Sequence, residues 1–129
     1  MSTITTTLPP LLRAREIPYR VEQHTLLIPL PNGFGELEVT ALDEEEDLIG
    51  LVGEDWHLST RDLAEDSPHL KSAQKVTLFV VEILEGRFLL MEETASGEEP
   101  VKWIEDDLEG YLSARDPHSE YRIYNPVSP

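Results

Sequence analysis

The chain has no cysteine among its 129 residues, few basic side chains and no long apolar run. Without cysteine there are no disulfides, no thiolate metal sites and no cysteine nucleophile. Ten Lys and Arg stand against 26 Asp and Glu, for a formal charge of −16 and a pI near 4.4. A surface so poor in positive charge repels phosphate, which argues against direct binding of nucleic acid or anionic lipid. No segment approaches the roughly 18 apolar residues of a membrane span. The opening, "MSTITTTLPPLLRAREIP", lacks the basic start of a secretory signal, and Pro9 and Pro10 break its only apolar stretch. A cytoplasmic location is therefore expected.

Catalytic signatures are also missing. There is no G-x-S-x-G elbow. His24, His57, His69 and His118 form no helical ligand pair. "PNGFGE" has two glycines but no lysine of a phosphate loop, and it explains itself as a turn. Neither a metal nor a cofactor is expected, and no residue is assigned a catalytic role. With 26 acids, any single carboxylate pair says little about glycoside chemistry.

What is present is a hydrophobic fraction of 40%, enough for a core in one acidic domain spanning 1–129. The charge is uneven. Residues 1–35 hold three arginines and two glutamates, which leaves seven basic and 24 acidic side chains, net −17, for residues 36–129.

A first helix is expected with Thr7 as cap, Pro9 and Pro10 in its first turn, and an end by Glu16 ahead of Pro18. "YRVEQHTLLIPL" reads as one strand, at a sheet edge or bulged because of Pro29. Asn32-Gly33 signals a turn with positive φ. "GELEVTA" alternates, with Leu37, Val39 and Ala41 on one face and Glu36, Glu38 and Thr40 on the other. "DLIGLVG" is a short apolar strand.

Residues 57–74 read as a broken helix, with Ser59 and Asp62 as a capping box and a second start at Ser67-Pro68. "KVTLFVVEILEGRFLLMEE" reads as a hairpin turning at Glu85-Gly86. Its first arm is apolar on both faces and hence central. A short extended piece follows at Val101. A helix then carries Ile104, Leu108, Tyr111 and Leu112 on one face, and a last strand lies near Tyr121–Tyr124. The expected fold class is α+β, an antiparallel sheet of about five strands with short helices packed on it. If those helices lie on one face, the two-faced strand leaves Phe79, Val81 and Ile83 bare, or else Val76, Leu78 and Val80. A two-fold homodimer would then stack the bare faces; helices on both faces of a monomer are the alternative.

The candidate binding residues are acids and tryptophans. "DEEED", Asp43, Glu44, Glu45, Glu46 and Asp47, lacks the alternation and glycine of a calcium loop and reads as an exposed turn. Trp56 lies in "GEDWHLS" and Trp103 in "EEPVKWIEDD", ahead of Asp106 and Asp107. An indole among carboxylates suits Lys- or Arg-rich segments through charge and cation–π contact. The competing structural reading is two core anchors at strand ends.

The expected order of helix, three strands, helix, two strands and helix resembles the type III secretion chaperones. Size and charge resemble bacterial toxin-immunity proteins. Both resemblances lie in element order and composition, so no residue's role is carried over. Together they imply a non-catalytic, stoichiometric binder of a basic or partly unfolded protein. The alternative is a small hydrolase or ligand-binding domain built on a carboxylate cluster.

Overall fold

The computed structural model describes residues 4–41, 46–63, 70–105 and 116–124. Helix α1 (Ile4–Ala14) leads into five strands, β1 (Arg20–Glu22), β2 (Thr25–Pro29), β3 (Glu36–Ala41), β4 (Asp47–Leu51) and β5 (His57–Ser59). Helix α2 (Ser72–Leu84) follows, then β6 (Leu89–Ala95), β7 (Val101–Glu105) and β8 (Ser119–Ile123). The first five strands form an antiparallel meander in sequence order, and the last three form a separate antiparallel sheet in the order β7-β6-β8. The α+β class and the five-stranded antiparallel sheet agree with the reading of the sequence. No helix among the described residues is long and apolar enough to cross a membrane.

Alternation along β3 works as its sequence implies. Leu37 and Val39 are fully buried, and Glu36, Glu38 and Thr40 are half-buried on the outer face. Ala41 keeps the same register opposite Asp47 but is exposed at the strand's end. Leu26, Ile28, Ile49 and Leu51 join that inner face, where Leu8 and Leu12 of α1 and Val76, Phe79, Val80 and Ile83 of α2 close the core. The two helices also pack on each other.

Helix α1 begins before Thr7, so Pro9 and Pro10 lie inside it, where each removes one backbone donor. It ends in a Schellman motif. Glu16 takes φ 58°, its N–H bonds the Arg13 carbonyl at 3.1 Å, and the Ile17 N–H bonds the Leu12 carbonyl at 3.0 Å. Burial of Ile17 completes the motif's apolar contact.

"YRVEQHTLLIPL" is a hairpin rather than one strand. Gln23 at φ 54° turns the chain, and Glu22 pairs with Thr25. β2 therefore has neighbours on both sides. Pro29 is accommodated because pairing with β1 reaches only Leu27. Asn32 and Gly33 take φ 57° and 72° in the expected turn.

The largest correction concerns "KVTLFVVEIL", expected as a central strand and found within α2. Both faces looked apolar at a period of two, yet the buried set Ala73, Val76, Phe79, Val80 and Ile83 follows the i, i+3, i+4, i+7 period of a helix. Leu78 and Leu84 are apolar but exposed, and they concealed that stripe. Glu85-Gly86 is the helix end, not a hairpin turn. The Gly86 N–H bonds the Ile83 carbonyl at 3.0 Å, the Arg87 N–H bonds the Glu82 carbonyl at 2.8 Å, and Gly86 sits at φ 82°. Glycine at positive φ serves either motif, which is why the local signal misleads. Phe79, Val81 and Ile83, whose exposure on a sheet motivated the stacked homodimer, therefore belong to a helix and not to a sheet face. Phe79 and Ile83 are core residues, and Val81 packs partly buried against them.

Residues 57–63 are not helical in the expected sense. His57–Ser59 is strand, and Thr60–Asp62 is a single 3-10 turn. Ser59 does cap that turn, accepting from the Arg61 N–H at 3.1 Å. The expected start at Ser67-Pro68 lies outside the described residues, as does the helix stripe beyond Ile104, which itself is a buried residue of β7.

Sheet β7-β6-β8 docks on the β2–β3 turn. Lys102 Nζ donates to the Phe34 carbonyl at 2.8 Å and lies 5.3 Å from the Phe34 ring centroid. Tyr124 meets Phe34 edge-on at 5.0 Å, and Asn32 Nδ2 donates to the Tyr124 carbonyl. Burial and the hydrogen bond to Glu92 Oε1, at 3.1 Å, raise the Tyr124 phenol above its ordinary pKa.

Candidate functional site

Asp43, Glu44, Glu45, Asp106 and Asp107 lie outside the described residues. Glu46 and Asp47 are described, and they face inward instead of lying on an exposed turn. Glu46 is half-buried, pairs with Arg61 at 3.2 Å and accepts from the Ser59 hydroxyl.

Asp47 is the first residue of β4 and only 6% exposed. Its N–H donates to Thr60 Oγ1 at 2.9 Å, and its Oδ2 lies 2.5 Å from Ser72 Oγ, which is also 2.8 Å from Thr60 Oγ1. Serine has one hydroxyl proton, and the carboxylate is the stronger acceptor. Ser72 therefore donates to Asp47, and the Thr60 hydroxyl donates to Ser72. The knot ties the start of β4 and the 3-10 turn to the first turn of α2, where a carboxylate is also favoured by the helix dipole. Among the described residues, every buried side-chain nitrogen and oxygen has a hydrogen-bond partner.

The face of the five-stranded sheet turned away from α1 and α2 has a different character. One row of paired residues crosses it, from Arg20 through Leu27, Glu38 and Gly50 to His57. At the β1 end Arg20 neutralises two acids. It bonds both carboxylate oxygens of Glu36, at 3.0 and 3.1 Å, and one of Glu22 at 3.2 Å. Glu38 stands on the central strand β3, with Glu54 and Asp55 in the turn between β4 and β5, and no described basic side chain forms an ion pair with any of them.

Two open clefts meet there. One, of about 480 Å³, runs over Gly50 between Glu38, Leu48, Trp56 and His57. The other, of about 450 Å³, lies between the 53–56 loop and residues 101–103. Glu54, Asp55 and Trp56 border both.

The two tryptophans singled out by sequence thus line one cleft, although 46 positions separate them. Trp56 also serves the core, lying near-parallel to Phe79 with centroids 6.3 Å apart. Trp103 is half-buried and donates from Nε1 to Glu105 Oε2 at 3.0 Å. The anchor reading therefore holds for the Trp56 ring, and the Trp56 carbonyl faces Gly50 at the cleft. Val101, 55% exposed, adds an apolar wall beside Trp103.

Glu54 and Asp55 were read in the sequence as the acids beside Trp56, whereas Glu38 and Gly50 were not singled out as site residues. The alternation of β3 already put Glu38 on the outer face, and an isolated glycine within an apolar strand marks a place of close approach. Among the described residues, no group of three or more His, Asp or Glu is placed to hold a metal ion. No protein-family model, curated protein or solved structure matches the chain.

Proposed function

We propose that the chain is a non-catalytic, stoichiometric protein-binding module for a basic partner, in the manner of an immunity protein, antitoxin or secretion chaperone. The observation that carries this reading is the shared cleft of Trp56 and Trp103, bordered by Glu54 and Asp55. Lys102 also lines this cleft, but its Nζ is held on the Phe34 carbonyl and forms no ion pair with Glu54 or Asp55; such carboxylates attract a cation, and an adjacent indole face adds cation–π attraction of about 0.5–1 kcal/mol at an exposed site. Asp43, Glu44, Glu45, Asp106 and Asp107 belong to the same reading, as sources of the negative field that draws such a partner in. A cytoplasmic location goes with it, and the cysteine-free sequence fits that location.

The test is calorimetric titration with an oligoarginine peptide at low and high ionic strength. The reading expects binding that weakens as salt rises and weakens again in Trp103→Ala. A chain that takes up no such peptide at low salt contradicts it.

A further inference from the structure

We infer that the outward face of α2 docks antiparallel on the same face of a second copy of this chain, with Leu78 beside the two-fold axis. Lys71 and Lys75 of each copy then meet Glu85 and Glu82 of the other.

The helix presents this face as one stripe. Lys71, Leu78 and Glu85 are exposed at intervals of two helical turns, and Lys75 and Glu82 lie half-buried beside Leu78. The core takes the opposite stripe of Val76, Phe79, Val80 and Ile83. Leu78 is 40% exposed and borders an open groove of about 540 Å³, whose apolar wall includes Leu58 and Phe88. Lys75 and Glu82 border the same groove.

The order of charges along the stripe is unfavourable within one chain. A helix favours acids in its first turn and bases in its last, and α2 has neither. Lys71 and Lys75 are like charges at i, i+4, and Glu82 and Glu85 are like charges at i, i+3. No described carboxylate pairs with either lysine, and no described base pairs with Glu82. Glu85 meets Arg87 at 3.4 Å, but both side chains are largely exposed, and such a pair contributes little.

Charge complementarity decides the occupant. A uniformly basic segment is repelled at the lysine end, and a uniformly acidic one at the glutamate end. The stripe calls for the same charges in reverse order, which an antiparallel copy supplies. Counted outwards from Leu78, Lys71 and Glu85 are equidistant, and Lys75 and Glu82 differ by a single position. Both pairs therefore close about one axis, as a self-complementary two-fold contact requires. Leu78 and its symmetry mate cover the apolar centre. The charge of −16 on each copy opposes association, but salt screens it beyond a Debye length of about 8 Å. No residue of this groove borders the clefts around Trp56, so the contact does not rest on the proposed function.

The experiment is sedimentation equilibrium of the full chain at physiological ionic strength, from micromolar to submillimolar concentration, with thermal unfolding of each variant. Wild type is expected to pass from 14.6 kDa to twice that mass. Lys75→Glu and Glu82→Lys each turn both symmetry-related pairs repulsive, and each is expected to raise the dissociation constant about tenfold or more. Mixed in equal amounts, the two variants again place opposite charges across the contact and are expected to associate as wild type does. Should either fail to fold, Leu78→Gln, at an exposed position, is expected to weaken the same association. A wild type that stays at 14.6 kDa throughout would overturn the contact and leave the stripe to a different protein. A dimer indifferent to the single reversals, or a mixture that stays apart, would overturn it as well.

Discussion

Asp47 and Glu38 are carboxylates on neighbouring strands of one sheet, and their surroundings could hardly differ more. Asp47 is buried at the start of β4, close to two hydroxyl oxygens and beside the first turn of α2. Glu38 stands on the face turned away from α1 and α2, beside Gly50, with no ion-pair partner among the described residues. Burial makes a polar group costly unless it is satisfied, so the satisfied acid is tied to the fold. A half-exposed acid loses little by waiting for a partner. The contrast teaches that the acidity of this chain is of two kinds, and that net charge alone does not separate them.

The largest expected effect of breaking the contrast is on the buried side. Asp47→Ala leaves the Ser72 hydroxyl without its carboxylate acceptor and should cost about 1–3 kcal/mol. Urea unfolding measures it, and oligoarginine affinity should stay unchanged; equal losses in both would erase the distinction.

A glycine pair sharpens the same division. Gly86→Ala forces a side chain into φ 82° at the end of α2 and should cost about 1 kcal/mol, whereas Gly50→Ala should change stability by less than about 0.5 kcal/mol or raise it. Denaturant midpoints of the two variants compare them directly.

Tyr124 gives a pH test. Its folded pKa is raised, so the neutral phenol is favoured in the fold. The contribution is full below the ordinary value of 10.0 and is lost as pH climbs through the folded value. Stability should fall above pH 10 in wild type, and Tyr124→Phe should flatten that part of the profile.

The smallest stability effects belong to the open cleft. Glu38→Gln, Glu54→Gln and Asp55→Asn should each stay within about 0.5 kcal/mol of wild type in unfolding free energy.

Much of this division was open to reading in the sequence, though not all of it. The period of two in "GELEVTA" gave the inner and outer faces of β3 correctly, because burial of Leu37 and Val39 enforces it. The acids beside Trp56 were visible as neighbours in "GEDWHLS". The meeting of Trp56 with Trp103 was not, since it depends on how the second sheet docks through Lys102, Phe34 and Tyr124. Helix α2 was misread because Leu78 and Leu84 filled the gaps in its buried stripe. Asp47 was misread for a related reason. A run of five acids suggests water, but its last member begins a strand and meets Thr60 and Ser72, which come from later in the chain.

The most direct test of the division is to watch backbone amide and indole NMR signals while an oligoarginine peptide is added at low ionic strength. The account predicts shifts concentrated at Gly50, Glu54, Asp55 and the two indole N–H groups, with the Asp47, Thr60 and Ser72 signals unmoved. Shifts centred on Asp47 and α2, or spread evenly over every acid, would contradict it.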